Sequence, residues 1–255
     1  MLGPSPVLRR LAQHPRSLKA LTIACCTLPA LQLLVEWQAG ALGINPLERL
    51  QRFTGFTSLI LLIIALTLTP ARQLMPWLAR GGRFEWGKRQ ADWNWLLRIR
   101  RILGVSAFSY GALHCLIYLA LDQTWDWHGI LLDARDRRFM LVGWVALLAM
   151  LPLTLTSTDG MMRRLGRRWK TLHQLHYVVA VLASTHFVLL AKAGVRRPWV
   201  YAAIVGGLLA YRVWSRIFPT SLPSMHADLE VHRTGPADRA PVSHDSTEQR
   251  GSLGR

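Results

Sequence analysis

Four histidines lie in apolar stretches of the sequence, where ionisable side chains are rare. His173, His176 and His186 belong to one stretch, residues 163–191, and His114 belongs to an earlier one. Ionisable groups at membrane depth usually face a cavity, a partner or a cofactor, and histidine is the commonest metal ligand. The 13 residues from His173 to His186 correspond to roughly 20 Å of helix, which is too far for one metal ion. The spacing predicts two separate stations on an electron path, one near each membrane face.

The composition predicts a protein made of membrane-spanning helices. Of the 255 residues 51% are hydrophobic, yet the formal net charge is +17. A soluble domain this basic would suggest a nucleic-acid partner. Here the charges alternate with apolar blocks of about 20 residues, which is the length that crosses a hydrocarbon core. We therefore expect an all-α polytopic helical bundle that membrane lipid surrounds and that has no nucleic-acid partner.

The apolar blocks predict six transmembrane helices. They cover residues 18–37, 53–74, 98–121, 139–158, the apolar part of 163–191, and 199–218. This pattern divides the chain into a cytoplasmic N-terminal segment at 1–17, a transmembrane domain at 18–218 and a cytoplasmic tail at 219–255. The tail has too few apolar residues to form a core and is expected to be disordered. The expected connections are a turn-rich segment at 39–52, a polar insertion at 75–95 and an acidic, tryptophan-rich loop at 122–138.

Basic residues are distributed unevenly between the two sides of this predicted bundle. The N-terminal segment, the insertion with its flanks and the 163–170 segment carry 17 Lys and Arg residues, whereas the segments on the opposite side carry 8. Under the positive-inside rule the side with more Lys and Arg is cytoplasmic. The N-terminus is therefore expected in the cytoplasm, and six spans return the C-terminus to the same side.

This orientation gives His114 and His186 a similar depth, toward the outer side of the membrane. Both residues lie late in spans that enter from the cytoplasm. Two histidines on different helices at one level would form a pocket suited to bis-histidine ligation of a haem iron. The alternative is that each histidine is a polar group hydrogen-bonded to a neighbouring helix.

The cytoplasmic level has a less complete set of candidate ligands. His173 is available there, but the residue 14 positions before His114 is Arg100. Helical periodicity does not choose between His173 and His176 as the inner ligand, because they are three residues apart. Arg100 would either pair with a haem propionate or mark the end of its span by extending its charged head to the interface. One haem is expected, and a second is left open.

Several segments together resemble the MsrQ family, also called YedZ, within the ferric-reductase-like transmembrane superfamily. They are LGRRWKTLHQLHYVVAVLASTHF, ALHCLIY around His114, the FTG triplet at 53–55, the NP pair at 45–46 and the TSTD turn at 156–159. The resemblance covers about residues 18–218, and it implies that the haem-associated histidines fall on His114, His173 and His186. Arg100 then marks a departure from the four-histidine pattern of related oxidases and ferric reductases. His176 matches none of these histidines and is expected to be a packing or loop-side residue.

The resemblance also implies cofactors and partners that neither spacing nor charge predicts. It implies a haem b subunit of the bacterial inner membrane that takes electrons from the quinone pool. The electrons would pass to a periplasmic, molybdenum-containing MsrP subunit that repairs methionine sulfoxide in proteins. Bound FMN is implied as well, but no residue is assigned to it. No residue of this chain is expected to act as a bond-making catalyst, so the sulfoxide-reducing site would belong to the partner.

Two other functions are compatible with the same histidines. One is another quinone-linked or ferric-reductase-like cytochrome. Because the sequence has no GxGxxG motif for a nicotinamide cofactor, its donor is expected to be a lipid-soluble carrier or another protein. The other is a metal or solute transporter whose histidines bind cargo. A transporter would be expected to show related halves or helices broken near the midplane, and the sequence shows no convincing internal repeat.

Overall fold

All regular structure in the described part of the chain is helical. The computed structural model describes residues 14–80, 90–191 and 194–218, and these ranges contain no β-strand. The all-α prediction is confirmed. Most of the predicted N-terminal segment, the middle of the 75–95 insertion and the predicted disordered tail lie outside the described residues. Backbone contacts divide the chain into one unit that ends at Trp214 and a second that begins at Ser215, of which residues 215–218 are described.

Nine α-helices occur in the described ranges. In chain order they are α1 (Pro15–Gln38), α2 (Pro46–Arg80), α3 (Trp95–Ile117), α4 (Trp127–Asp136), α5 (Arg138–Leu155), α6 (Asp159–Leu165), α7 (Arg167–Leu172), α8 (Leu175–Leu189) and α9 (Arg197–Ile217). A 3₁₀ turn precedes α3, and a π-helical turn, Tyr118–Asp122, extends it.

Five helical segments of the described chain are long and apolar enough to cross a membrane. They are Arg16–Gln38, Pro46–Pro76, Trp95–Asp122, Arg138–Leu155 and Arg167–Leu189. These segments correspond to the first five predicted spans, so the chain is a multi-pass membrane protein. The sixth predicted span forms helix α9, which is not among the five. A sixth crossing and the cytoplasmic position of both termini therefore stay predictions.

Helix α2 is longer than the sequence pattern indicated, at both ends. The turn-rich connection was expected to reach residue 52, but α2 begins at Pro46. The side chain of Asn45 accepts a hydrogen bond from the backbone amide of Glu48 at 3.3 Å and donates one to the Glu48 carboxylate at 3.3 Å. Asn at the N-cap, Pro at the first position and Glu at the third together favour helix initiation. The predicted end of this span at residue 74 was also wrong, because α2 continues to Arg80.

The acidic, tryptophan-rich segment contains a helix rather than only the loop that was expected. Helix α4 begins after Asp126, whose side chain accepts a hydrogen bond from the backbone amide of His128 at 3.0 Å. Aspartate is a favoured N-cap residue because it satisfies an otherwise unpaired amide. Ile130 of this helix is buried, whereas Trp127 and Leu131 are exposed.

The predicted fifth span is broken, so its histidines do not lie along one continuous helix. Helix α7 ends at Leu172 and α8 begins at Leu175. The backbone amides of Gln174 and Tyr177 donate to the carbonyl groups of Thr171 and Gln174, each at 3.0 Å and three residues back. Bonds of this kind tighten the chain into a 3₁₀ turn. The two helices still belong to one apolar segment, Arg167–Leu189, with this turn inside it.

Four helices surround the core, and each of them packs on two of the others. Helix α2 packs on α3, α3 on α5, α5 on α8, and α8 on α2, while α1 packs on the outside of α3. Small residues lie where α2 and α3 pack together: Thr54 and Ala107 are fully buried. The Ser58 hydroxyl donates to the Ala107 carbonyl at 2.7 Å. Small residues and interhelical hydrogen bonds of this kind hold membrane helices together, since lipid tails are as apolar as the side chains.

Tyr110 ties α1 to α3. Its hydroxyl donates to the Cys26 carbonyl at 2.8 Å and accepts from the Ala30 amide at 2.9 Å. In a regular helix the Ala30 amide would donate directly to the Cys26 carbonyl. Here the Tyr110 hydroxyl lies between these two groups and bonds to both, next to Pro29. Tyr110 lies four residues before His114 and therefore on the same face of α3. The hydrogen bonds that join α1 to α3 therefore lie one helical turn from His114.

Candidate functional site

The structure brings His114 and His186 together, and both side chains are half-buried. His114 lies on α3 and His186 on α8, and their ring centroids are 6.4 Å apart with an angle of 80° between the ring planes. Helices α2 and α5 each contact both α3 and α8 and so hold them in place. The prediction that these two residues share a level is confirmed.

Each of the two imidazole rings is oriented by a backbone carbonyl of a different helix. His114 Nδ1 lies 2.9 Å from the Gln51 carbonyl oxygen of α2, and His186 Nδ1 lies 2.7 Å from the Phe139 carbonyl oxygen of α5. A carbonyl oxygen only accepts, so Nδ1 carries the proton and donates in both rings. The Nε2 atoms then keep their lone pairs, which is the state in which histidine binds a metal.

Two glycines make room for these rings. A Cβ atom added to Gly55 of α2 would lie 3.1 Å from His114 Nδ1, and one added to Gly143 of α5 would lie 2.8 Å from His186 Nδ1. The glycines allow the helix backbones to approach the imidazoles closely. Gly55 belongs to the triplet that carried the family resemblance, but sequence reasoning missed Gly143. A glycine inside an apolar helix was the available signal, because it is unfavourable there without a packing reason.

The residues of this pair fit a haem iron. An iron ion held at about 2 Å by one nitrogen of each ring would place the ring centres about 6 Å apart, close to the 6.4 Å observed. Imidazole is a ligand suited to iron. A haem iron is already bound by its macrocycle and takes only one or two further ligands from the protein. A bare ion usually takes more, and no group of three or more His, Cys, Asp or Glu residues is arranged for a metal in the described chain. Two half-buried neutral imidazoles therefore match haem better than an ion held by protein alone.

His173 lies at the break between α7 and α8. It makes no ring contact in the described chain with His114 or His186, which we call the outer pair after their predicted position in the membrane. Its ring stacks on Trp169 with centroids 3.9 Å apart and an angle of 26° between the planes. Its Nδ1 donates to the Trp169 carbonyl at 3.2 Å, and its Nε2 lies 3.5 Å from the Ser157 hydroxyl. The described contacts place no second histidine ring against it, in contrast to the arrangement at the outer level.

Arg100 makes contact with His176 rather than with His173. Arg100 Nη2 lies 2.6 Å from His176 Nε2, and Arg100 Nη1 lies 3.4 Å from the Thr69 hydroxyl. His176 Nδ1 donates to the His173 carbonyl, so its Nε2 is the acceptor for the guanidinium. These contacts keep the Arg100 guanidinium between helices rather than extended to the membrane interface. His176, expected to serve only packing or a loop, has a polar role that its position in the sequence did not reveal.

Asp159, from the TSTD turn, lies outside the spans and joins α6 to α3. Its carboxylate accepts a hydrogen bond from Arg101 Nη1 at 2.5 Å. The hydrogen bond and positive charge of Arg101 lower the pKa of the Asp159 carboxyl below its ordinary value. Thr158 caps the same helix, because its hydroxyl accepts from the Met161 amide at 3.3 Å. The turn therefore anchors the helix that precedes the histidine-bearing segment.

Comparison with known proteins identifies the relatives of this chain. The family described as ferric reductase like transmembrane component matches residues 54–184. A protein-methionine-sulfoxide reductase heme-binding subunit MsrQ from Rhodospirillum rubrum is 42% identical over 189 residues, which cover 74% of this chain and 83% of that protein. The subunit of the same name from Ralstonia nicotianae is 41% identical over 207 residues, covering 78% of this chain and 88% of that protein.

A third relative has the same name as the other two. A further MsrQ subunit, from Azospira oryzae, is 40% identical over 208 residues, which cover 80% of this chain and 82% of that protein. The family match includes His114 and His173 and ends two residues before His186. Identity at this level over most of both chains confirms the resemblance that the sequence motifs indicated. This chain belongs to the MsrQ family, within the ferric reductase like transmembrane proteins.

Proposed function

We propose that this chain binds haem b between His114 and His186 and transfers electrons as the membrane subunit of a methionine sulfoxide reductase system. The observation that carries the proposal is the facing pair of imidazoles, whose Nδ1 atoms are bonded to carbonyls of α2 and α5. Hydrogen bonds of this kind fix the tautomer and the ring orientation of a metal-binding histidine. The names of the relatives, which describe heme-binding subunits, support the same cofactor.

The residues around the pair serve electron transfer rather than bond making. A bound haem supplies one-electron redox chemistry at an iron whose potential depends on its axial ligands and surroundings. His114 and His186 would hold the iron, and the carbonyls of Gln51 and Phe139 would keep both rings in place. Apolar helices exclude water from the site. If both histidines held the iron, it would have no free position for a substrate and would serve as an electron relay.

We further propose that electrons enter at the cytoplasmic level and leave at the outer side. His173 and Arg100 would form the inner station, Arg100 as a partner for a carboxylate and His173 as a candidate iron ligand. The donor would be the quinone pool, and the acceptor a periplasmic, molybdenum-containing MsrP-type subunit in a bacterial inner membrane. This part rests on the family, because its members are named as subunits of a protein-methionine-sulfoxide reductase. FMN is proposed on the same basis, with no residue assigned to it.

The test of the cofactor is an absorption spectrum of the purified chain with haem quantified per polypeptide. We expect a bis-histidine b-type spectrum, and we expect His114→Ala and His186→Ala each to remove or greatly weaken the same haem. His128→Ala is the matched control, because His128 is exposed on α4. If both variants kept wild-type haem content and reduction potential while the control behaved normally, the ligand assignment would be wrong.

The orientation has its own test. A reporter fused after Arg255 should be cytoplasmic, and one inserted in the 122–138 segment should be periplasmic. The charge distribution of 17 against 8 basic residues is the reason for this expectation. Reporters on the reversed sides would place the His114 and His186 pair at the cytoplasmic level and contradict outward transfer.

A further inference from the structure

A buried amide next to the histidine pair lacks a partner. The side-chain nitrogen Nε2 of Gln51 is fully enclosed and has no hydrogen-bond partner among the described residues. Buried donors in native proteins are nearly always bonded, because leaving one unpaired is costly. We propose that the Gln51 carboxamide donates a hydrogen bond to a haem propionate at the His114 and His186 site. This inference rests on the proposed function.

Gln51 is held against His114 by its own backbone. Its carbonyl oxygen accepts the hydrogen bond from His114 Nδ1 at 2.9 Å. Gln51 is also four residues before Gly55 and shares its helix face, and Gly55 is the residue whose backbone approaches the His114 ring. The side chain of Gln51 therefore starts from the face of α2 that meets the proposed haem ligand.

The charged residues near the start of α2 are already paired. Arg49 forms hydrogen bonds of 3.1 and 3.2 Å with the carboxylate of Glu36, and Arg52 pairs with Glu48 at 3.4 Å. Neither arginine needs an anion from the site to balance its charge. Gln51 is the remaining donor in this part of α2 that has no partner.

The polar groups of haem that can accept such a bond are its carboxylates. A hydrogen bond to an ionised acceptor is shorter and stronger than one between neutral groups, and a carboxylate only accepts. A neutral amide donor also avoids burying a second full charge at membrane depth, which would be expensive. Gln51 thus has the chemistry to stabilise a propionate without becoming an iron ligand, and it acts as a binding and positioning residue.

The test replaces Gln51 with leucine in the full chain, reconstituted in lipid nanodiscs. Leucine has a similar size and no donor, and the backbone carbonyl that orients His114 remains. Gln32→Leu is the control, because Gln32 is exposed on α1 and bonds only to Glu36 in the described structure. The readouts are the midpoint potential of the haem, the propionate bands in its resonance Raman spectrum, and the thermal unfolding of the haem-free protein.

We expect the Gln51→Leu potential to fall by about 59 mV, a tenfold change in a one-electron equilibrium, because an unbonded propionate stabilises the ferric state. The propionate bands should shift, and the haem-free variant should unfold at a higher temperature than the haem-free wild type, since an unpaired donor has been removed. Gln51→Asn, which keeps an amide on a shorter side chain, should give smaller shifts of the same bands. It also supplies the answer if the leucine variant does not accumulate.

Three outcomes separate this inference from the function beneath it. If Gln51 variants bind haem with wild-type potential and wild-type propionate bands, the amide does not bond to the propionate and the inference is overturned. The same holds if Gln32→Leu produces equal shifts. A wild-type protein that binds no haem would overturn the proposed function, and this inference with it.

Discussion

The outer and inner histidine regions differ in how each ring is held. At the outer level His114 and His186 are oriented by carbonyls from α2 and α5, helices other than their own. At the inner level His173 bonds to the carbonyl of Trp169, four residues back in its own segment, and His176 to that of His173. The outer rings are therefore fixed by the packing of four helices, whereas the inner rings are fixed mainly by local chain geometry.

The difference shows why a histidine count does not define a site. Both outer Nε2 atoms remain available to a metal. At the inner level His176 Nε2 is bonded to Arg100 at 2.6 Å, and His173 Nε2 lies 3.5 Å from a hydroxyl. The outer pair consists of two facing imidazoles that would be able to hold one iron between them. The inner region has His173 and, beside it, Arg100 bonded to His176.

The largest expected effect comes from filling the space beside an outer ring. Gly143→Ala would place a Cβ atom 2.8 Å from the His186 ring, a distance that forces the imidazole to move. We expect haem affinity to fall by about tenfold or more, the scale seen when the surroundings of a metal ligand are altered, with a smaller fall for Gly55→Ala. Haem titration of the purified variants measures this.

Gly104→Ala provides the control for that comparison. Gly104 lies on α3 but has no neighbouring atom within 4 Å of an added Cβ. Its replacement should leave haem binding unchanged and should stabilise the helix by up to about 1 kcal/mol. Equal haem loss in all three glycine variants would show that the effect is general to the helices and not specific to the outer rings.

An intermediate effect is expected at the inner level, on electron supply rather than on haem content. His173→Ala should slow quinol-driven reduction of the outer haem severalfold, while dithionite, a small soluble reductant, should still reduce it fully. Arg100→Ala should give a milder version if its role is to hold a carboxylate. Stopped-flow absorbance with each reductant separates the two. Normal reduction by quinol in His173→Ala would mean that the inner region is not on the route.

The smallest expected effect concerns Asp159, which lies at the surface beyond both regions. Its folded pKa is lowered by Arg101, so the bond contributes stability above the pKa of an unfolded aspartate, about 4. That contribution should disappear as pH falls from there through the lower, folded pKa. When thermal unfolding is measured at a series of pH values from 6 downward, the unfolding temperature should fall more steeply for wild type than for Asp159→Asn. Parallel curves for the two proteins would argue that the bond adds nothing to stability.

The sequence predicted the level of the outer pair but not the chain break at the inner region. Length and spacing of apolar blocks identify helices because a bilayer demands about 20 apolar residues for each crossing. The charge pattern then placed His114 and His186 at one level, and the structure agrees. The extension of α2 to Pro46 was also readable, since Asn, Pro and Glu at positions 45, 46 and 48 form a helix start. The break between α7 and α8 could not be predicted in this way, because residues 172–175 contain no proline or glycine.

By itself the sequence determined the all-helical class, the membrane setting and the pair of histidines that face each other. Only the tertiary structure decided which nitrogen of each ring is bonded, which glycines meet the rings, and that Arg100 lies against His176. These features depend on residues far apart in the chain: the carbonyl that orients His114 is 63 positions away, and the one that orients His186 is 47 positions away. Periodicity gives a residue its depth and helix face, but hydrogen bonds between helices depend on how those helices rotate and approach one another as they pack.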